Sequence, residues 1–276
     1  MDCLFCKKVS ANSKSKEHII PESLGNTDYV LPPGIVCDAC NNYFAVKIEK
    51  ELLEQDYFKS IRHRNDILNK KGNPIPGKGI LVHPEGGKVD VYKEGPGIIG
   101  INSSNEKLLK LVENLTIRKL YIPIVQEPEK DNVILSRFIG KVAIEALAQR
   151  LMNVDGWEQE VIYKEGLDPL REYVRYGNTK IKFWHYHQNR IYSELDRFVD
   201  TEEKIGPFEI LHEYTFHYSE GYELFFVLAI MGVEYAINMG GPNVENYTSE
   251  LKNHSSKSFL DVSHEKKATD NSAWLY

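Results

Sequence analysis

Cys3-Leu4-Phe5-Cys6, Glu17-His18-Ile19-Ile20-Pro21 and Cys37-Asp38-Ala39-Cys40-Asn41-Asn42 stand close together at the start of the chain, and the two outer pieces hold all four of its cysteines. Two C-x2-C pairs have zinc-ligand spacing: each is a knuckle giving two thiolates, and four thiolates close a tetrahedral shell. Two disulfides are the competing reading. The opening Met1-Asp2-Cys3 has no basic start ahead of an apolar core, so no secretory signal is read and a reducing cytoplasm is expected. A closed shell leaves no position for water, so zinc on Cys3, Cys6, Cys37 and Cys40 is expected to be structural. Its role is to hold two remote stretches together, and metal-coupled folding supplies on the order of 10 kcal/mol, more than a forty-residue core could give.

Working outward, the local signals are short. Residues 10–16 are polar and read as a loop. Residues 17–21 are β-branched and closed by proline, which predicts a brief strand, and Ile35-Val36 predicts a second extended piece entering the second knuckle. Leu24-Gly25-Asn26-Thr27 and Pro32-Pro33-Gly34 have loop chemistry. From Asn41 the period changes. Phe44, Ile48, Leu52, Phe58 and Ile61 fall near helical spacing and predict a helix to about Arg64.

Gly72-Asn73-Pro74-Ile75-Pro76-Gly77 breaks that pattern and reads as a linker. Beyond it, residues 80–83 and 89–92 flank Pro84-Glu85-Gly86-Gly87 as a hairpin, and 108–120 and 133–152 read as helices. The second helix has Ile134, Phe138, Val142, Ala146 and Leu147 on one face, with Lys141, Glu145 and Gln149 elsewhere. A short helix over 168–176 closed by Gly177, a strand over 180–187 and a meander over 208–218, 222–230 and 233–238 follow. The tail after Gly241 is polar and reads as partly disordered. His185-Tyr186-His187 has the spacing of a strand-borne metal pair, but no carboxylate cluster accompanies it, so aromatic strand residues are the reading.

The 276 residues are 42% hydrophobic and 27% charged, the balance of a globular protein with one large or two ordinary domains. The longest apolar run, 224–233, is ten residues, where a membrane span needs roughly 20. It reads as a buried strand. The net charge of -6 by itself argues against a nucleic-acid partner, yet residues 1–80 carry a balance of +2 and the remainder -8. Lys59, Arg62, His63, Arg64, Lys70, Lys71 and Lys78 read either as a phosphate-facing surface or as a solvated helix face.

The loop between the knuckles carries the chemistry. Glu17 and His18 point to opposite sides of an extended backbone, but a strongly twisted hairpin lets them flank one site. A neutral imidazole with a pKa of about 6.5 suits a general base. A carboxylate and an amide oxygen suit a hard ion such as Mg²⁺, and Asn41, tethered by Cys40, can supply that amide or cap the helix. Phosphodiester hydrolysis needs these parts: an activated water, a divalent ion at the leaving oxygen, and positioning.

In this order, C-x2-C, Glu17-His18-Ile19-Ile20-Pro21, Leu24-Gly25 and C-x2-C-Asn41-Asn42 resemble the HNH endonucleases, the ββα-metal nucleases, in their zinc-stapled branch. The resemblance covers about residues 3–55, a fifth of the chain. It implies His18 as general base, Glu17 as first ligand of a catalytic Mg- or Mn-type ion, and Asn41 as second. Many members carry His or Lys three or four residues after this asparagine, where Phe44 and Ala45 stand here, and an Asn before the second knuckle, where this chain has Leu31-Pro32-Pro33. Asn42 and Glu49 are the candidates to take over one of those duties.

The expectation is an α+β protein: a zinc-stapled ββα-metal module over 1–72, then a mixed α+β domain with an antiparallel sheet over 79–276. The expected function is a cytoplasmic, metal-dependent endonuclease acting on DNA, as in a bacterial defence effector. The second part is expected to serve oligomerisation, a regulatory protein partner or ligand sensing, with no membrane partner. The alternative is a non-catalytic zinc module for nucleic-acid or protein recognition.

Overall fold

A computed structural model of the chain describes residues 1–69, 71–95, 98–177, 180–200 and 205–260. Helices are mixed with strands, and every strand pairing among the described residues is antiparallel. None of their helices is long and apolar enough to cross a membrane. The chain forms two compact units. One comprises Met1–Pro21, Asn26–Leu52 and the described residues from Glu129 onward; the other comprises Glu22–Gly25 and Leu53–Pro128.

The first unit opens with the hairpin β1 (Glu17–His18) and β2 (Val30–Leu31), in register Glu17 to Leu31 and His18 to Val30. Helix α1 (Asp38–Phe44) follows, passes through a π-helical turn at Ala45–Glu49 and continues as α2 (Lys50–Leu53). The single predicted helix is thus divided. Gln55 takes an extended conformation and ends it, and α3 (Asp56–Arg64) starts afresh. The periodic apolar positions are buried as expected, but they serve two cores: Phe44, Ile48 and Leu52 the first unit, Phe58 and Ile61 the second.

The second unit sets α3 with a sheet of β3 (Gly77–Leu81), β4 (Lys88–Gly95), β5 (Ile98–Asn102) and, after helix α4 (Glu106–Glu113), β6 (Leu120–Tyr121), in the order β5-β4-β3-β6. Alternation along β3 and β4 sends Leu81, Val89 and Val91 to one face, where Leu108 and Ile117 meet them. Asn105 caps α4 by accepting from Leu108 N; the helix stops short of the predicted Leu120 because Leu115 turns to positive φ and reverses the chain. The segment 72–77, expected as a linker, lies inside this unit. His63 Nδ1 is 2.9 Å from Ile75 O, and a Cβ on Gly77 would stand 2.6 Å from the same imidazole. The compact units therefore do not follow the division at 72–79.

The basic stretch is partly committed within this unit, with Lys71 and Lys78 exposed. Arg62 is buried, which lowers its pKa; Arg64 bonds Ser60 Oγ at 2.5 Å and Val125 O at 3.4 Å; Lys78 pairs with Asp90. Lys70 lies outside the described residues.

The first unit resumes with α5 (Val133–Leu151), capped by Asn132, then α6 (Trp157–Val161) and α7 (Asp168–Tyr176). Gly177 closes α7 at φ 65°, where a Cβ would meet the Arg137 guanidinium. Strands β7 (Tyr186–Arg190), β8 (Phe198–Asp200), β9 (Ile205–Phe208), β10 (His212–Tyr218), β11 (Leu224–Ile230) and β12 (Val233–Asn238) come next, and β10-β11-β12-β7 form one sheet. The predicted meander is present. The strand expected over 180–187 begins only at Tyr186; before it, Trp184 is buried and donates from Nε1 to Asn238 O at 2.8 Å. Part of the tail read as disordered is helix α8 (Glu245–Asn253), whose Tyr247 and Leu251 cover Phe225, Val227 and Ala236.

Helix α5 corrects the amphipathic reading. Lys141 and Glu145, expected off the apolar face, are fully buried, within the unbroken buried run Leu135 to Ala146.

Candidate active site

The four cysteines are free thiols, and their Sγ atoms all lie within 4.8 Å of one another. Both knuckles supply the backbone hydrogen bonds that such a site needs. Cys37 N donates to Cys3 Sγ at 3.3 Å and Cys40 N to Cys37 Sγ at 3.4 Å, so Cys37 is also the N-cap of α1. Lys7 adopts φ 54° to turn the first knuckle. Cys3 shares a proton with Cys40, which draws the Cys3 pKa down to about 4 and pushes Cys40 up. Burial raises the Cys6 thiol as well; a zinc-type ion would displace the remaining thiol protons on binding, and four convergent sulfurs fit it.

This anchor aims α1 at the hairpin. Asn41, in the first turn of α1, donates from Nδ2 to Lys16 O at 3.0 Å, immediately before Glu17. The hairpin has its own internal brace in Asn26, which is buried: Nδ2 donates to Ile20 O and Tyr29 O, and Oδ1 accepts from Asp28 N and Tyr29 N. His18, half-buried on β1, presents an Nδ1 that is buried and has no hydrogen-bond partner among the described residues. Phe44, where the resemblance led to His or Lys, is buried against Phe5 with ring centroids 4.4 Å apart. It belongs to the core.

Glu17 is only 4% exposed and does not stand alone. Its Oε1 lies 2.7 Å from Lys141 Nζ, which also reaches Glu49 Oε1 at 2.9 Å and Glu145 Oε2 at 3.0 Å. The same ammonium donates to His18 O at 3.2 Å and approaches Ile19 O at 3.5 Å. Burial raises the pKa of Glu17 despite the opposing lysine, and raises that of Glu145 further. Burial alone would lower Lys141, but the three carboxylates together lift it well above an ordinary lysine. Glu17 Oε2 remains buried and without a hydrogen-bond partner among the described residues. The π-helical turn brings Glu49 into this group, whereas Asn42 is exposed on α1 and makes no such contact.

Helix α7 braces the cysteine cluster from outside. Arg175 Nε donates to Cys40 Sγ at 3.2 Å while its guanidinium lies 4.0 Å from the Tyr43 ring centroid. Arg171 Nε donates to Leu4 O at 2.7 Å, and Lys7 pairs with Asp168 at 2.7 Å.

Residues 3–57 match the family model described as HNH endonuclease, over about a fifth of the chain. That segment is an HNH module. No curated protein and no solved structure matches the chain. The family's chemistry is nuclease chemistry, which implies a nucleic-acid substrate, and the cysteine cluster is consistent with a zinc-stapled module.

Several side chains that contact Glu17, Glu49 and Cys40 come from outside the matched segment. Lys141, Glu145 and Arg175 were not legible as site residues, although a Lys-x3-Glu pair within a nearly unbroken apolar helix was a signal. His185 is exposed. His187 Nε2 is 3.8 Å from Glu234 Oε1, and burial lowers its pKa; the two histidines join no group of metal-ligating side chains among the described residues.

Proposed function

We propose that the chain is a metal-dependent endonuclease that hydrolyses phosphodiester bonds, with DNA as its substrate. One observation carries this reading beyond the family: the adjacent residues Glu17 and His18 each hold a buried polar atom, Oε2 and Nδ1, without a hydrogen-bond partner among the described residues, on a hairpin tied to the cysteine frame through Asn41. Unpaired buried polar atoms are costly, and a site that receives a cation, a water and a phosphate gives them partners. Glu17 and Asn41 fit a hard cation by their oxygen chemistry, since Nδ2 is committed to Lys16 O and Oδ1 is the atom left to accept.

In this reading His18 takes a proton from the attacking water, which enters in line with the departing 3′-oxygen. A Mg- or Mn-type ion on Glu17 and Asn41, when bound, supplies the charge that stabilises that oxygen. The zinc frame contributes position alone. A second reading has one observation in its favour: Glu17 is nearly inaccessible and already ion-paired, as in a module that recognises nucleic acid or protein without cutting.

Supercoiled plasmid incubated with the full chain and with His18→Ala, in Mg²⁺, Mn²⁺ or EDTA, separates the two. Metal-dependent nicking that falls on the order of 10²–10⁴-fold in the variant supports hydrolysis. Equal behaviour of the two proteins supports recognition. The acidic remainder of the chain, at -8, is proposed to serve self-association or a regulatory partner of a cytoplasmic bacterial defence effector. Light scattering with and without DNA tests the self-association.

A further inference from the structure

Lys141 has the coordination of a buried cation rather than of a surface lysine. Three carboxylate oxygens lie 2.7, 2.9 and 3.0 Å from Nζ, and two backbone carbonyls lie at 3.2 and 3.5 Å. Two of these five partners are the side chain of Glu17 and the carbonyl of His18, the two residues on which the proposed hydrolysis turns. Nζ also lies 6.0 Å from the Phe44 ring centroid, so the core itself fixes where the ammonium can stand. The arrangement spans α5, the hairpin and the π-helical turn, all within the first compact unit.

The carboxylate of Glu17 is divided by this contact. Oε1 faces the ammonium, while Oε2 is buried and unpartnered. A glutamate on a two-residue strand has three side-chain torsions to fix, and nothing in residues 3–57 fixes them by an ion pair among the described residues. We propose that Lys141 is a positioning residue of the hydrolytic site: by holding Oε1 of Glu17 and the carbonyl of His18 it presents Oε2 to the catalytic cation at a set distance from the imidazole. Glu49 and Glu145 hold the ammonium in turn, so the geometry is set by α5, from far outside the family motif. The inference rests on the reading of Glu17 as a cation ligand.

The test uses the full chain, zinc-loaded, with Mn²⁺ as the probe. Removing the lysine alone strands three buried carboxylates, so the variant is Lys141→Met paired with Glu145→Leu, which deletes one charge of each sign. Zinc content and thermal melting establish that it folds. Calorimetry measures Mn²⁺ binding, and plasmid nicking at saturating Mn²⁺ measures the rate. Misplacement by about 1 Å costs on the order of 100-fold in rate, so a fall of that size is expected while Mn²⁺ binds at least as tightly as before, because the carboxylates have lost their internal competitor. A merely structural role would not separate rate from binding in this way. An unchanged rate in a folded double variant overturns the proposal, and so does weakened Mn²⁺ binding with the saturated rate preserved.

If the double variant does not fold, the wild-type protein decides through the ¹⁵Nζ resonance of Lys141. An ammonium protected from exchange both without and with Mg²⁺ supports the proposal; loss of protection on adding Mg²⁺ means that the ion displaces the lysine, and overturns it. A wild type that neither binds Mn²⁺ nor nicks plasmid refutes the hydrolytic reading itself, and the role of Lys141 falls with it. A wild type active with Mn²⁺ whose folded variant is equally active refutes the role of Lys141 alone.

Discussion

Replacing Arg175 with methionine should weaken zinc binding by roughly 30-fold while leaving the fold intact. The side chain does two things: Nε donates to Cys40 Sγ at 3.2 Å, and the guanidinium stacks 4.0 Å from the Tyr43 centroid. Four thiolates around one divalent ion carry two net negative charges, and Arg175 offsets part of that excess. A hydrogen bond to a charged group contributes about 1.5–3 kcal/mol and a cation–π contact at a partly exposed site about 0.5–1 kcal/mol. Arg175 is only partly buried, so the low end of each range applies, and their sum is about 2 kcal/mol. At about 1.4 kcal/mol per decade that is a factor of roughly 30. It falls within the 10–100-fold losses typical when an outer partner of a metal ligand is removed. Competition against a chromophoric chelator reads the zinc affinity directly, with circular dichroism as the control for folding. Arg175→Lys keeps the charge but neither the fork nor the stacking, and should fall between the two. Zinc affinity of Arg175→Met within twofold of wild type would refute the reasoning, because α7 would then be a bystander to the metal.

Two further outcomes follow from the same packing. Phe44→Ala should cost about 3–5 kcal/mol, read as a lowered urea midpoint, since the ring is fully buried against Phe5; an unshifted midpoint would mean that this core is not formed. Stability should fall on acidification through the unfolded histidine value of 6.5, because burial holds the folded pKa of His187 lower and the unfolded state takes up the proton first. His187→Gln should flatten the melting temperature between about pH 7 and pH 5, and parallel wild-type and variant curves would count against that assignment.

The zinc frame was legible because sequence spacing alone specifies it: two knuckles, four thiols, one place for them to meet. The helix at 168–176 and the meander were legible for a similar reason, since Gly177 and the alternating strands between turns are local signals. The long helix from Asn41 was not, because apolar period cannot show that Gln55 becomes extended and that the two halves serve different cores. The segment 72–77 has linker composition, yet its packing on His63 depends on a contact that composition does not encode. Lys141 illustrates the largest gap. Its helical position suggested a solvated residue, and only the arrival of Glu17 and Glu49 from the N-terminal module makes a buried ammonium tolerable. Partners more than ninety residues apart, as in that ion pair and in Arg137 with Tyr43, leave no local trace.

Anomalous scattering from a zinc-loaded crystal soaked in Mn²⁺ tests the central geometry most directly. The account predicts zinc among Cys3, Cys6, Cys37 and Cys40, and a separate manganese peak in coordination contact with Glu17 Oε2 and Asn41 Oδ1 beside His18. Zinc in place with no manganese at Glu17, or manganese bound by other residues, would contradict it.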